Sequence, residues 1–182
     1  MNDQRKVIFE QRIEWMRDEA VNEIVADMRH AAIEDLVARH LPHNSLPEQW
    51  DIAGLDREMR DILTLAEPLD DWTNEDGMTV GEMCRRLTHA ADQWMATKDA
   101  KFGAAGIRHM QRMILLHALD NLWREHLVTL EALRRAIGWR SYGRRQPLTE
   151  YKTEALHLFE TMLRHLDAVV TALTMRVGIV AA

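Results

Sequence analysis

GWRSYGRRQPLTEY, residues Gly138–Tyr151, decides how this chain is read. Gly138 and Gly143 are free to take turn conformations, and Pro147 suits the first turn of a helix. Upstream, residues 107–137 contain no glycine or proline, and neither do residues 148–177 downstream. Both runs read as long helices. In the downstream run, Phe159, Met162, Leu163, Leu166, Val169, Val170, Leu173 and Val177 form a stripe close to a heptad seam. Two long helices joined by a link of about ten residues pack as antiparallel neighbours. The quoted stretch is then the tip of a helical hairpin, at residues 138–147.

Working back toward the N-terminus, residues 3 to about 39 read as one uninterrupted helix. Its apolar stripe is Val7, Ile8, Ile13, Met16, Ala20, Ile24, Met28, Ala31 and Leu36. At 1.5 Å per residue such a helix is roughly 55 Å long, more than a small domain needs, and would act as a spine. Pro42, Asn44, Ser45, Pro47 and Gly54 then punctuate the chain. Short helices are predicted at Pro47–Trp50 and Leu55–Leu63, followed by an acidic loop, AEPLDDWTNEDGM. Thr79 and Glu82 form a capping box that opens a helix from Val80 to about Phe102. FGAAG predicts a break at Gly103 and Gly106 before the hairpin. The expected fold is all-α: a long scaffold helix (1–42), a small helical insertion (43–102) and the continued scaffold with its hairpin (103–182).

Composition narrows the function. The 182 residues are 47% apolar and 29% charged, as in an ordinary soluble globular protein. A net charge of −6 argues against nucleic-acid binding by bulk electrostatics. Charge is nevertheless unevenly spread. Arg134, Arg135, Arg140, Arg144 and Arg145 cluster at the tip without an acid among them, whereas Asp70, Asp71, Glu75, Asp76 and Glu82 crowd the insertion. The single Cys84 excludes an intramolecular disulfide and fits a reducing compartment. No signal peptide and no apolar run of membrane-spanning length is visible.

Catalytic constellations are absent from the pattern. There is no Gly-rich phosphate loop, dinucleotide fingerprint or nucleophile elbow. His109, His117 and His126 share a helix but lack zinc-ligand spacing, and read as structural or solvated histidines. A calcium loop with Gly77 at its sixth position would put Trp72 and Met83 where Asp and Glu are required. At the tip, a solvated loop with one tucked Trp competes with a contact surface, in which Tyr and Trp supply amphipathic grip and Arg supplies stacking.

Five blocks together carry a resemblance: NDQRKVIFEQR (2–12), LPEQWDIAGL (46–55), LDNLWREHL (119–127), LRRAIGWRSYG (133–143) and EYKTEALHLFETML (150–163). In order and spacing they resemble the C-terminal portion of the SecA family of preprotein translocase motors: helical scaffold, helical wing and two-helix finger. Ser141 stands where that family usually has Gly. The resemblance implies a piece of a longer motor, cytoplasmic and peripheral at the inner face of the bacterial plasma membrane. ATP and Mg would be bound by domains absent from this chain, which itself would carry no cofactor and no enzyme activity. It implies that Tyr142, Trp139, Arg140, Arg144 and Arg145 contact the translocating polypeptide and the SecYEG channel. It further implies that Leu119, Trp123, Glu125 and His126 lie on a helix that restrains the ATPase. The partners implied are SecYEG, unfolded preprotein and the remaining SecA domains, with self-association of the isolated chain and no nucleic acid. The alternative is a free-standing helical-bundle adaptor for a folded protein partner.

Overall fold

The computed structural model describes residues 2–17, 20–43, 45–140 and 147–177, which form seven α-helices, a short 3-10 turn and, among themselves, no strand. The helices are α1 (Asn2–Arg17), α2 (Val21–His40), α3 (Ile52–Leu63), α4 (Leu69–Thr73), α5 (Val80–Phe102), α6 (Ala104–Arg140) and α7 (Pro147–Arg176), with the 3-10 turn at Pro47–Gln49. The all-α architecture and the two long hairpin helices are as the periodicity requires. None of these helices is long and apolar enough to cross a membrane.

The expected single spine is two helices. Ala20 sits in a turn, and its carbonyl accepts the first amides of α2 from Glu23 (2.9 Å) and Ile24 (3.3 Å). No glycine or proline forces this break; the phase of the buried stripe does. α1 buries Ile8 and Trp15, whereas α2 buries Val21, Val25, Met28, Ala32 and Leu36. At about 100° per residue, a continuous helix would turn Val21, Val25, Met28 and Ala32 roughly 80–140° away from the face of Trp15. Breaking the helix lets both faces reach the same core. Val7 and Met16, read as core positions on the single-helix assumption, are exposed.

Two cores result. One joins α1 and the start of α2 to the hairpin through Ile8, Trp15, Val25, Leu115, Leu119, Leu122, Phe159, Met162, Leu166 and Val170. The other joins the end of α2 to the inserted helices through Ile33, Leu36, Leu55, Met59, Leu63, Met83 and Leu87, and takes in Ile107 and Met175 from the hairpin. α2 and α7 run through both. On α7 the seam follows Phe159, Met162, Leu166, Val170 and Thr174, and Leu173, expected on it, is 40% exposed.

Local chemistry fixes the insertion. Asp51 caps α3 by accepting the Gly54 amide at 2.9 Å, and its other oxygen meets His40 Nδ1 at 3.0 Å. A Cβ on Gly54 would overlap the Asp51 carboxylate and come within 2.7 Å of the His40 ring, so a larger residue here must displace the cap. Thr79 Oγ1 accepts the Glu82 amide at 3.1 Å and starts α5. Gly103 ends that helix at φ +81°, a conformation that favours glycine, whereas Gly106 lies inside the first turns of α6. The predicted double break is therefore a single one. Leu69–Thr73, expected as loop, is a short helix that buries Leu69 behind Pro68.

Candidate functional site

Among the described residues, α6 and α7 make the most extensive helix-helix contact, and residues 141–146 connect them in the chain. Tyr142, Arg144 and Arg145 lie outside the described residues. Trp139 and Arg140 are the last two backbone positions of α6. The tip expected to meet a partner thus sits between the end of a 37-residue helix and the start of a 30-residue one.

α1 docks along the middle of the hairpin, between Asp120 and His126 on α6 and beside Ala155 on α7. Leu119 is fully buried there, Trp123 half-buried, and Glu125 points to solvent. His126 is only 5% exposed, with ring centroids 5.4 Å from Trp123 and 5.7 Å from Phe159. Its Nε2 lies 3.1 Å from Gln4 Oε1, an acceptor, so Nε2 carries the proton. Burial lowers the His126 pKa and keeps the ring neutral. Gln4 Nε2 in turn donates to the Ala155 carbonyl at 3.1 Å, so one α1 side chain bridges both hairpin helices. Two turns along α1, Arg12 Nε and Nη2 donate to the two oxygens of Asp120 at 2.9 and 3.3 Å. That bidentate bond raises the Arg12 pKa.

Of the four residues expected on the regulating helix, Leu119, Trp123 and His126 come together against α1 and α7, and Glu125 does not. Gln4, Arg12, Asp120 and Phe159 complete the junction; Phe159 was read in the α7 stripe, and sequence reasoning missed the other three. The signal for α1 was its four-residue ladder, Gln4, Ile8 and Arg12, with polar residues flanking a buried one on a single face. The arrangement holds no nucleophile-base pair. Among the described residues, no group of three His, Cys, Asp or Glu side chains is placed to hold a metal ion. Its chemistry is mechanical: a neutral buried ring, a bridging amide and an ion pair fix the angle of α1 to the hairpin.

A second polar clamp ties α2 to α5. Arg29 Nη2 and Nε donate to Asp92 Oδ1 at 2.6 and 3.2 Å, and His30 Nε2 lies 3.0 Å from both Asp92 oxygens. Burial pushes the Asp92 carboxyl up, but Arg29 and His30 together hold it below the usual carboxylate range. Lys98, buried on α5, donates to the Thr174 carbonyl at 3.1 Å and to that of Met175, satisfying the C-terminal end of α7. Burial pulls its pKa down to about 8.

Known proteins with this pattern are translocase subunits. The SecA wing and scaffold domain family matches residues 1–178. The protein translocase subunit SecA of Bradyrhizobium diazoefficiens is 52% identical over 179 residues, covering 98% of this chain and 19% of that protein. The subunit of the same name from Afipia carboxidovorans gives the same identity and coverage. The SecA of Rhodopseudomonas palustris strain BisB18 is 50% identical over the same share of both chains. The chain thus spans about a fifth of the length of the curated relatives it matches. With the family matching nearly every residue and relatives half identical throughout, this chain belongs to the SecA wing and scaffold domain family.

Proposed function

We propose that this chain is the force-transmitting part of a preprotein translocase, coupling a motor to polypeptide movement through a SecYEG-type channel at the inner face of the plasma membrane. The observation that carries this reading is the hairpin: two long helices packed along a continuous apolar seam, with the Arg-rich aromatic segment 138–147 at their junction. A rod of paired helices transmits displacement because its packed core resists deformation. Tyr142, with Trp139, Arg140, Arg144 and Arg145, serves as the contact surface, since a phenol ring grips extended peptide without reading its sequence. ATP and Mg belong to parts of the translocase outside this chain, and no step of hydrolysis is assigned to its residues. The segment Leu119–His126 restrains the motor through its fixed junction with α1.

Tyr142→Ala in a full-length translocase of this family tests the reading. Preprotein transport is expected to fall at least tenfold, with helicity and ATP binding intact. Transport at the parental rate would remove the tip from the mechanism.

A further inference from the structure

Lys98 is a cation buried without an anion. It is 5% exposed, and its described hydrogen-bond partners are two carbonyls at the end of α7, those of Thr174 (3.1 Å) and Met175. Its Nζ also lies 5.4 Å from the centroid of the Trp94 ring. Trp94 Nε1 (3.4 Å) and Thr64 Oγ1 (3.2 Å) donate to the same Met175 oxygen. Thr64 caps α3 at φ +55°, uncommon for a β-branched residue, and that turn delivers its hydroxyl. The cap of α3, the middle of α5 and the last carbonyls of α7 thus meet at one point. A carbonyl oxygen has two lone pairs, so Thr64 and Trp94 can satisfy Met175 between them, and Lys98 is one donor more than that oxygen needs.

The surrounding elements supply no counter-charge. On α3, Arg60 is paired with Asp56, and Arg176 of α7 donates to the Asp61 carbonyl. On α5, Asp92 is taken by Arg29 and His30 of α2, and Lys101 lies over the Phe102 ring beyond Asp99. Arg108 and His109, at the start of α6, are exposed. Among the described residues no carboxylate makes an ion pair with Lys98. The two carbonyls and the negative end of α7 favour the ammonium, whereas burial disfavours it. Burial is the larger effect and pulls the Lys98 pKa down to about 8.

We propose that Lys98 is a proton-operated catch: as the free amine it ties the end of α7 to α5 and the cap of α3, and as the ammonium it weakens that tie and lets the end of α7 lift away. Lifting exposes Lys98 to water, where a lysine holds its proton up to about pH 10.4. Opening therefore takes up a proton at any pH between these two values. The tie is weakest below about pH 8, where the closed joint must bury the charge, and it strengthens as pH rises above that. The inference stands apart from the translocase reading, because it concerns a joint within this chain.

Amide exchange in this chain at pH 7 and pH 9, corrected for base catalysis, tests it. Protection of residues 173–177 is expected to rise about tenfold between the two pH values, while that of residues 162–166 in the middle of α7 stays level. In Lys98→Met, whose side chain cannot titrate, the rise at residues 173–177 should vanish whatever the absolute protection. A purely structural lysine would leave protection independent of pH. Level or falling protection at residues 173–177 in the parent chain overturns the proposal, and so does an equal rise in the middle of α7 or a rise that persists in Lys98→Met. Should that variant fail to fold, the Lys98 side-chain carbon resonance of the parent decides. It is expected to turn over near pH 8, and turnover at the ordinary lysine value of about 10.4 overturns the proposal.

Discussion

Replacing Asp92 by alanine isolates the clamp between α2 and α5. The Arg29 side chain is 6% exposed, and its described partner is the Asp92 carboxylate at 2.6 Å. A guanidinium cannot escape its situation by losing a proton. Removing one partner of a fully buried pair costs about 3–5 kcal/mol, because the other charge stays buried and uncompensated. The Asp92 side chain is 42% exposed, so water can enter the vacated space and return part of that cost. The expected loss is about 2–3 kcal/mol, or roughly 4–12 °C in melting temperature for a chain of this size. Urea unfolding followed by circular dichroism reads it as a lower midpoint at unchanged slope. Asp56→Ala, which breaks the exposed Arg60–Asp56 pair one helical turn apart, is the internal control and should cost no more than about 0.5 kcal/mol. The double variant Arg29→Met with Asp92→Leu should recover most of the loss, since neither charge then remains to be solvated. If Asp92→Ala costs no more than Asp56→Ala, the burial of Arg29 carries no energetic weight and the reasoning is wrong.

Three further outcomes are expected. Gly54→Ala drives a methyl group into the Asp51 cap and the His40 ring and should cost about 1–3 kcal/mol, measured by the same unfolding curves; a neutral effect would show that the cap moves freely. Asp167, half-buried near Asp35, has its pKa raised to about 6, first by burial and then by that neighbour. The folded state therefore holds this proton more tightly than the unfolded chain, and stability falls as pH rises from about 4 to about 6; Asp167→Asn should flatten that slope and, after discounting for the solvated part of the group, add roughly 1 kcal/mol at pH 7. Gln4→Ala with Arg12→Ala removes the polar ties of α1, so amide exchange in α1 should accelerate at least tenfold while α2 is unchanged; equal acceleration in both helices would mean that they open as one unit.

How much of this was legible in the sequence follows from where the signal lies. Thr79 with Glu82, and Gly103 at the end of the same run, carry their stop and start chemistry within a few residues, and α5 spans Val80–Phe102 as predicted. The hairpin was legible for the same reason. The break at Ala20 was not, because no residue there forbids a helix; only the mismatch between the faces of Trp15 and Val21 calls for it, and that mismatch exists only once both are known to meet one core. Gly106 misled in the opposite direction, since a glycine in an early helical turn costs little when its neighbours cap the start. At the site, LDNLWREHL marked the right segment, but His126 and Asp120 find their α1 partners 122 and 108 residues away, beyond any spacing rule.

The two cores give the architecture a mechanical consequence. α7 packs its first half against α6 and α1, and ends in the other core, where Met175 is buried and Lys98, Trp94 and Thr64 hold its last carbonyls. α2 likewise begins in the first core and ends in the second. Neither core can rotate against the other without bending two helices or breaking the Asp92 clamp and the Met175 anchor. The insertion is therefore not a freely hung appendage: it is joined to the hairpin through α7, and the polar ties at the end of that helix stiffen the connection.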